Sequence, residues 1–207
     1  MPDAAFAPET GRVTRRPPLP ARGWMVAALL AAAPAATAQV PATAWTTVAE
    51  SSRIEFTGTL AGGDFTGHFQ RFVAAIAFDA ADLAGSRFRV EIETSSANTA
   101  DADRDAALAG SDFFAASRWP KATYEASQFA ATGPGQYQAR GNLTIRGISG
   151  EVPVKFTFKP ATDGHSAVLS GRASVRRLDF GVGQGEWQDT KWLGDEVRIR
   201  FELALRK

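Results

Sequence analysis

The chain holds two histidines, His68 and His165, and no cysteine. Thiol chemistry, disulfides and multi-histidine metal centres are therefore excluded, and a two-histidine centre would need carboxylates brought in by the fold. His68 follows a glycine in an alternating stretch and reads as a structural or outward-facing side chain. No Gly-x-Ser-x-Gly elbow or comparable setting accompanies any serine, so a nucleophile has no recognisable anchor. Asp101, Asp103 and Asp105 are spaced like the start of a calcium loop, but the required glycine at position six and glutamate at position twelve are missing. The three acids suit the first turn of a helix, where they meet the positive end of the dipole. Gly181-Val182-Gly183-Gln184-Gly185 resembles a phosphate-binding fingerprint by count alone, because it does not open a βαβ unit. These residues predict a protein that is not an enzyme and carries no metal or cofactor.

What remains is apolar, and its period is two. Ile54, Phe56, Gly58 and Leu60 alternate with Arg53, Glu55, Thr57 and Thr59, which is the pattern of a half-buried strand. After Gly62-Gly63-Asp64, Phe65, Gly67 and Phe69 share one parity while Phe72, Ala74, Ile76 and Phe78 share the other. One extra residue near Gln70-Arg71, a β-bulge, would produce that slip. A third strand runs over Arg87 to Thr94. Five more are expected at Thr123 to Phe129, Tyr137 to Ile145, Val152 to Phe158, Ala167 to Val175 and Val197 to Leu205, separated by turn residues such as Gly133-Pro134-Gly135 and Asp163-Gly164. Between the third and fourth, a short helix is predicted around Asp103 to Ala109, followed by a loop that inserts Phe113-Phe114 and closes at Pro120. Eight strands with one apolar face and a single helix predict an all-β fold, an antiparallel sheet closed into a barrel; a two-sheet sandwich fits the same pattern, and connectivity decides between them.

The N-terminal forty residues differ. Arg12, Arg15, Arg16 and Arg22 precede an acid-free apolar run from Trp24 to Ala36 that ends in Ala36-Thr37-Ala38, the order of a secretory signal peptide. A membrane anchor is the competing reading, but the run is shorter than the roughly 20 residues a span needs and Pro34 interrupts it. The expectation is a signal peptide over residues 1–38, cleavage after Ala38, a domain over residues 39–207, and a periplasmic protein. The long basic region fits either a true start at Met25 or, weakly, a twin-arginine signal at Arg15-Arg16. Without residues 1–38 the chain keeps 19 basic against 20 acidic side chains, a net charge of −1. Nothing in that balance supports nucleic-acid binding.

Taken together and in order, several segments resemble the YceI-like, lipocalin-like polyisoprenoid-binding family. They are Trp45 with Ser52 and Phe56; Gly67-His68-Phe69 with Ile76-Ala77-Phe78-Asp79; Arg104-Asp105 with Leu108 and Asp112-Phe113-Phe114; Trp119-Pro120; Gly141 to Gly147; and Arg177 to Val182 with Gly194-Asp195-Glu196-Val197. Many members carry a histidine two residues after the Asp of the Arg-Asp pair, where this chain has Ala107. The resemblance implies an elongated eight-stranded antiparallel lipocalin-like barrel, export to the periplasm, and an interior channel for an isoprenoid lipid such as a quinone or polyprenyl phosphate. Its wall would be formed by Phe56, Phe69, Ile76, Phe78, Val90, Ile92, Leu108, Phe113, Phe114, Tyr124, Leu143, Ile145, Phe156 and Ala173. A transient contact with the membrane or a membrane protein is compatible with that role.

Spacing adds one observation. The inward parity also carries Gly58, Ala74, Ala126, Ala139, Gly141, Ala167, Gly171 and Ala173. Small inward residues either leave room for a ligand or interdigitate with Phe56, Phe69, Tyr124 and Phe156 in a dry core. A filled barrel would favour an interaction protein docking on a membrane electron-transfer or stress-response partner; a hydrolase or isomerase acting on an apolar substrate ranks last. Phe113 and Phe114 are expected to plug one end of the barrel. Trp187 and Trp192 either rim the cavity or simply cover that end.

Overall fold

The computed structural model describes residues 44–207. The expected signal peptide and the cleavage site after Ala38 lie outside the described residues. Strands β1 (Ala44–Thr47), β2 (Arg53–Leu60), β3 (Gly63–Phe69), β4 (Phe72–Ala77), β5 (Arg87–Glu93), β6 (Ala97–Asn98), β7 (Lys121–Gly133), β8 (Gln136–Ile145), β9 (Ile148–Pro160), β10 (Ser166–Arg176) and β11 (Glu196–Arg206) form one antiparallel sheet, with one α-helix among the described residues, α1 (Ala102–Ala109). The order β1-β4-β5-β7-β8-β9-β10-β11 returns to β1, so the sheet is a closed barrel, and β2-β3-β6 continue it along the upper part of β11. Closure excludes the sandwich.

The eight expected strands account for nine of these eleven segments, and β1 and β6 prolong the first and third beyond their expected ends. The first long strand is β1 plus β2, interrupted by a 3-10 turn at Ala49–Ser51; the second is β3 plus β4; and the third continues from β5 through a turn at Thr94–Ser96 into β6. A serine bridges two of these interruptions. The Ser52 hydroxyl donates to the Val48 carbonyl at 2.7 Å and accepts the Ala204 N–H at 3.0 Å. Buried Ser96 donates to the Glu93 carbonyl at 2.6 Å and accepts the Arg71 N–H at 3.1 Å. The parity slip at Gln70-Arg71 is thus larger than a one-residue bulge: β3 pairs with β2 and β6, whereas β4 pairs with β1 and β5. Four residues of β1 are too few for alternation to announce.

Helix α1 begins where the acids placed it. Asp101 is its N-cap and accepts the Arg104 N–H at 3.0 Å, Asp103 and Asp105 occupy the first turn, and Gly110 ends it. Asp105 also accepts both the N–H and the hydroxyl of Thr99, tying the helix to the strand before it.

One ladder stops early. β9 and β10 pair from Ala167↔Pro160 to Arg172↔Lys155 and no further, while β8–β9 continues to Ile145↔Ile148 and β10–β11 to Arg176↔Glu196. Pro153, which has no N–H to donate, stands just past the last pair. The 3-10 turn Arg177–Phe180 that follows β10 covers this gap, and the Phe180 ring lies where a Cβ on Gly150 would come within 3.2 Å.

The interior divides into two apolar clusters. The lower one is dense with rings. Phe78 sits within 6.1 Å, centroid to centroid, of Phe88, Phe129, Tyr137, Phe156 and Phe158, and Trp45 packs edge-on against Phe158. The Trp45 indole N–H donates to the Phe78 carbonyl at 3.2 Å, so the large ring at this end leaves no orphan donor.

Candidate ligand cavity

β11 shows where the barrel is hollow. Its outward side chains Arg198, Arg200 and Glu202 are exposed throughout, but the inward ones change along the strand: Val197, Ile199 and Phe201 are half-exposed, whereas Leu203 and Leu205 are sealed at 2% and 1%. Inward Val90, Ile92, Leu143, Ile145 and Ala173 are half-exposed in the same way. These side chains face a cavity of about 200 Å³ in the upper half of the barrel.

Its wall comes from β2 (Ile54, Phe56, Gly58), β3 (Phe65, Phe69), β5 (Val90, Ile92), β7 (Tyr124), β8 (Leu143, Ile145), β10 (Ala173, Val175) and β11 (Val197, Ile199, Phe201). Ile76, Phe88, Leu169 and Leu203 form the floor and belong at the same time to the packed lower cluster. Leu108, Phe113, Phe114, Val182 and Leu193 form the roof and belong to the upper cluster. Of the fourteen residues expected to line a channel, all but Phe78 and Phe156 meet at this cavity. Those two point inward as expected but pack into the aromatic cluster beneath the floor, because the lower barrel is filled by rings and offers no lumen for them to face. The barrel is therefore neither hollow nor filled throughout.

The small inward residues divide in the same manner. Ala173 lines the cavity, but Ala74, Ala126, Ala139 and Ala167 are buried in the packed half. The glycines are occupied by neighbouring rings: a Cβ on Gly58 would meet the Phe65 ring at 2.9 Å, and one on Gly141 would meet Tyr124 at 2.7 Å. At glycine positions, large and small interdigitate.

The roof is a loop held by backbone groups. Gly183 and Gln184 donate to the Asp112 carbonyl at 2.7 and 2.8 Å, Phe114 donates to the Leu108 carbonyl, and the Arg146 guanidinium donates to the carbonyls of Ser111 and Phe113. Arg146 reaches them from a two-residue hairpin turn in which both Arg146 and Gly147 have positive φ. Phe113 is buried against Trp187, with ring centroids 5.5 Å apart, and Phe114 lies 6.0 Å from Phe69. Both phenylalanines thus close the end of the barrel. The two tryptophans differ: Trp187 covers Phe113, while Trp192, beside cavity-lining Leu193, is 63% exposed.

Two polar side chains reach the lumen, and both are committed elsewhere. The Tyr124 hydroxyl donates to the Val152 carbonyl at 3.1 Å; burial, with a smaller push from Glu151, raises its pKa far above the ordinary phenol value, so it stays a neutral donor. Arg177, 4% exposed, donates from Nε to Gly194, from Nη1 to Val182 and Gly183, and from Nη2 to Trp187 and Leu193, all backbone carbonyls. Burial lowers its pKa and the nearby Asp195 opposes that shift. All five guanidinium hydrogens are used in folding the loop over the roof, and none is left for a ligand. Neither Arg177 nor the loop residues Val182 and Leu193 lie on an alternating segment, so strand periodicity could not find them. Ile199 and Phe201 carried the same signal as the residues that were named.

No group of acidic or histidine side chains among the described residues is placed to hold a metal ion. His68 sits on β3 between inward Gly67 and Phe69 and faces outward, and His165 lies in the β9–β10 turn.

Residues 45–205 match the family model of the YceI-like domain. The chain belongs to the YceI-like family. Among its relatives is a UPF0312 protein of Pseudomonas savastanoi pv. phaseolicola, 29% identical over 146 residues that cover 68% of this chain and 74% of that protein. The YceI-like fold is shared with Burkholderia cenocepacia BcnA at a TM-score of 0.72 and 32% identity, over 76% of this chain and 98% of that one. It is also shared with the Campylobacter jejuni YCEI protein at 0.61 and 25%, over 68% and 84%. A polyisoprenoid binding domain from Saccharophagus degradans has the same fold at a TM-score of 0.62 and 14% identity, covering 78% of this chain and 97% of that domain.

Proposed function

We propose that this YceI-like protein is an exported carrier that takes the apolar part of an isoprenoid lipid, of the quinone or polyprenyl phosphate type, into the upper cavity and performs no chemistry on it. The observation that carries this reading is a lumen walled by hydrocarbon in which the hydroxyl of Tyr124 and the guanidinium of Arg177 are already bonded to backbone. Such a site gives nothing to a charged group and everything to methylenes. On the scale at which a cavity of about 150 Å³ admits benzene, 200 Å³ accepts roughly eight carbons. At about 0.8 kcal/mol each they supply on the order of 6 kcal/mol of gross driving force. The head group then stays outside.

The printed description of the Saccharophagus degradans neighbour as polyisoprenoid binding supports the same ligand class. The basic and apolar segments before Ala38 support export to the periplasm, and none of the described helices is long and apolar enough to cross a membrane. Exposed Trp192 beside the roof suits a brief contact with a membrane or membrane protein at which lipid is collected or delivered. Native mass spectrometry of the protein isolated from its own periplasm, followed by organic extraction, tests the proposal. A stoichiometric isoprenoid is expected; a lipid-free barrel that travels with a stoichiometric protein partner, or turnover of the extracted lipid, would overturn it.

A further inference from the structure

On the reading that the cavity takes an isoprenoid chain, we infer that Phe88 is the length gauge of this protein: it stops the chain after about two prenyl units instead of letting it thread the barrel. Phe88 lies in the floor of the cavity and is 5% exposed. Its ring is 4.8 Å from that of Phe129 and 5.1 Å from that of Phe156, so the floor rests on a packed ring cluster with no lumen beneath it. Two residues along the same strand face, Val90 is half-exposed to the cavity, and the hollow stretch begins there. The boundary between filled and hollow thus falls between adjacent inward positions of β5. β11 places its own boundary between Phe201 and Leu203.

Space sets the limit. The available 200 Å³ holds about eight carbons on the benzene scale, most of two five-carbon units, and units beyond the second remain on the solvent side of the roof. Replacing Phe88 with alanine removes six ring carbons, room for about one more unit. Replacing Val90 with phenylalanine adds four carbons, room for most of one unit, and fills empty space, so the fold is not put at risk.

The test is a series of prenyl alcohols of five, ten, fifteen and twenty carbons, with affinity measured by displacement of a fluorescent apolar probe. Each carbon that enters should tighten binding about fourfold, before losses, and each that stays outside should do little. In the unaltered protein affinity should rise to ten carbons and then level. Phe88→Ala should move the plateau to fifteen carbons and Val90→Phe should bring it to five. An unaltered protein whose affinity keeps rising to twenty carbons, or a plateau that Val90→Phe leaves in place, would overturn the gauge while leaving the lipid-binding reading intact. Absence of binding by every alcohol to all three proteins would instead sink the lipid-binding reading itself.

Discussion

Gly171 of β10 lies directly opposite Phe201 of β11, and the Phe201 ring occupies the place that a Cβ on Gly171 would take, 2.5 Å away. The carbonyl of Lys155 stands 2.6 Å from the same point on the other side. The glycine is needed because a ring and a backbone converge on it. Gly171→Ala should therefore overpack the wall and cost about 1 to 3 kcal/mol, read as a shift of the denaturation midpoint. Adding Phe201→Leu should return only part of that loss, since the Lys155 carbonyl does not move with the ring.

Ala139 and Ala173 share the inward face but lie in different halves. Ala139 is fully buried, opposite Val154 and Phe129, so Ala139→Leu should destabilise by about 1 to 3 kcal/mol. Ala173 lines the cavity, so Ala173→Leu should leave the midpoint near its starting value and reduce the retention of bound lipid. Equal destabilisation of the two variants in the lipid-free state would show that the upper barrel is as full as the lower.

Arg177 folds the loop from Val182 to Gly194 around one guanidinium. Arg177→Met keeps the bulk and removes every donor, stranding the five carbonyls that the guanidinium serves. A loss of about 3 kcal/mol or more is expected. Arg177→Lys should recover a minority of it, because an ammonium cannot span the same fork. Urea denaturation of both variants checks this.

Acid should weaken the break between β3 and β4. Arg71 binds Glu93 with both nitrogens of its fork, at 2.6 and 2.7 Å, and with a further bond from Ser95 this holds the Glu93 carboxyl down from its ordinary value near 4.5 to about 2. A carboxylate with a depressed folded pKa contributes stability above its unfolded value, and that contribution disappears as pH falls through the folded one. The protein should lose stability between about pH 4.5 and pH 2, and Glu93→Gln should lose less over the same interval. The pair is exposed, so 1 M salt should shrink the difference between the two proteins.

Export makes a prediction that is independent of the barrel. The mature chain should begin at Gln39, because Ala36-Thr37-Ala38 presents small residues where a signal peptidase reads them. N-terminal sequencing of periplasmic material checks it, and retention of the run from Trp24 to Ala36 in a membrane fraction would replace secretion with anchoring.

Period-two alternation made the barrel legible, since inward and outward faces along β2, β5 and β11 follow it residue by residue. It marked the inward strand side chains for the same reason. It could not separate a residue that faces a void from one that faces a ring, because both are apolar and inward; Phe78 and Phe156 share the parity of Ile76 and Val154 but end in the aromatic cluster. That distinction depends on what arrives from across the barrel, such as Phe129 and Tyr137, and no local window contains it. The roof was harder still. Asp112, Gly183 and Arg146 meet through backbone carbonyls, whose positions side-chain patterns do not encode.

The early stop of the β9–β10 ladder leaves two stretches of strand that could pair with another molecule. An unpaired strand edge is a template for joining chains, and a chain without cysteines has no disulfide to hold it against that. Here the vulnerable stretch of β9 carries a charge at Glu151 and, at Pro153, a residue with no N–H to offer an incoming strand, while the turn bearing Phe180 lies across Gly150. The irregularity is guarded against self-association. Pro153→Val would convert it into a continuous, hydrogen-bonding edge of the kind that seeds aggregates.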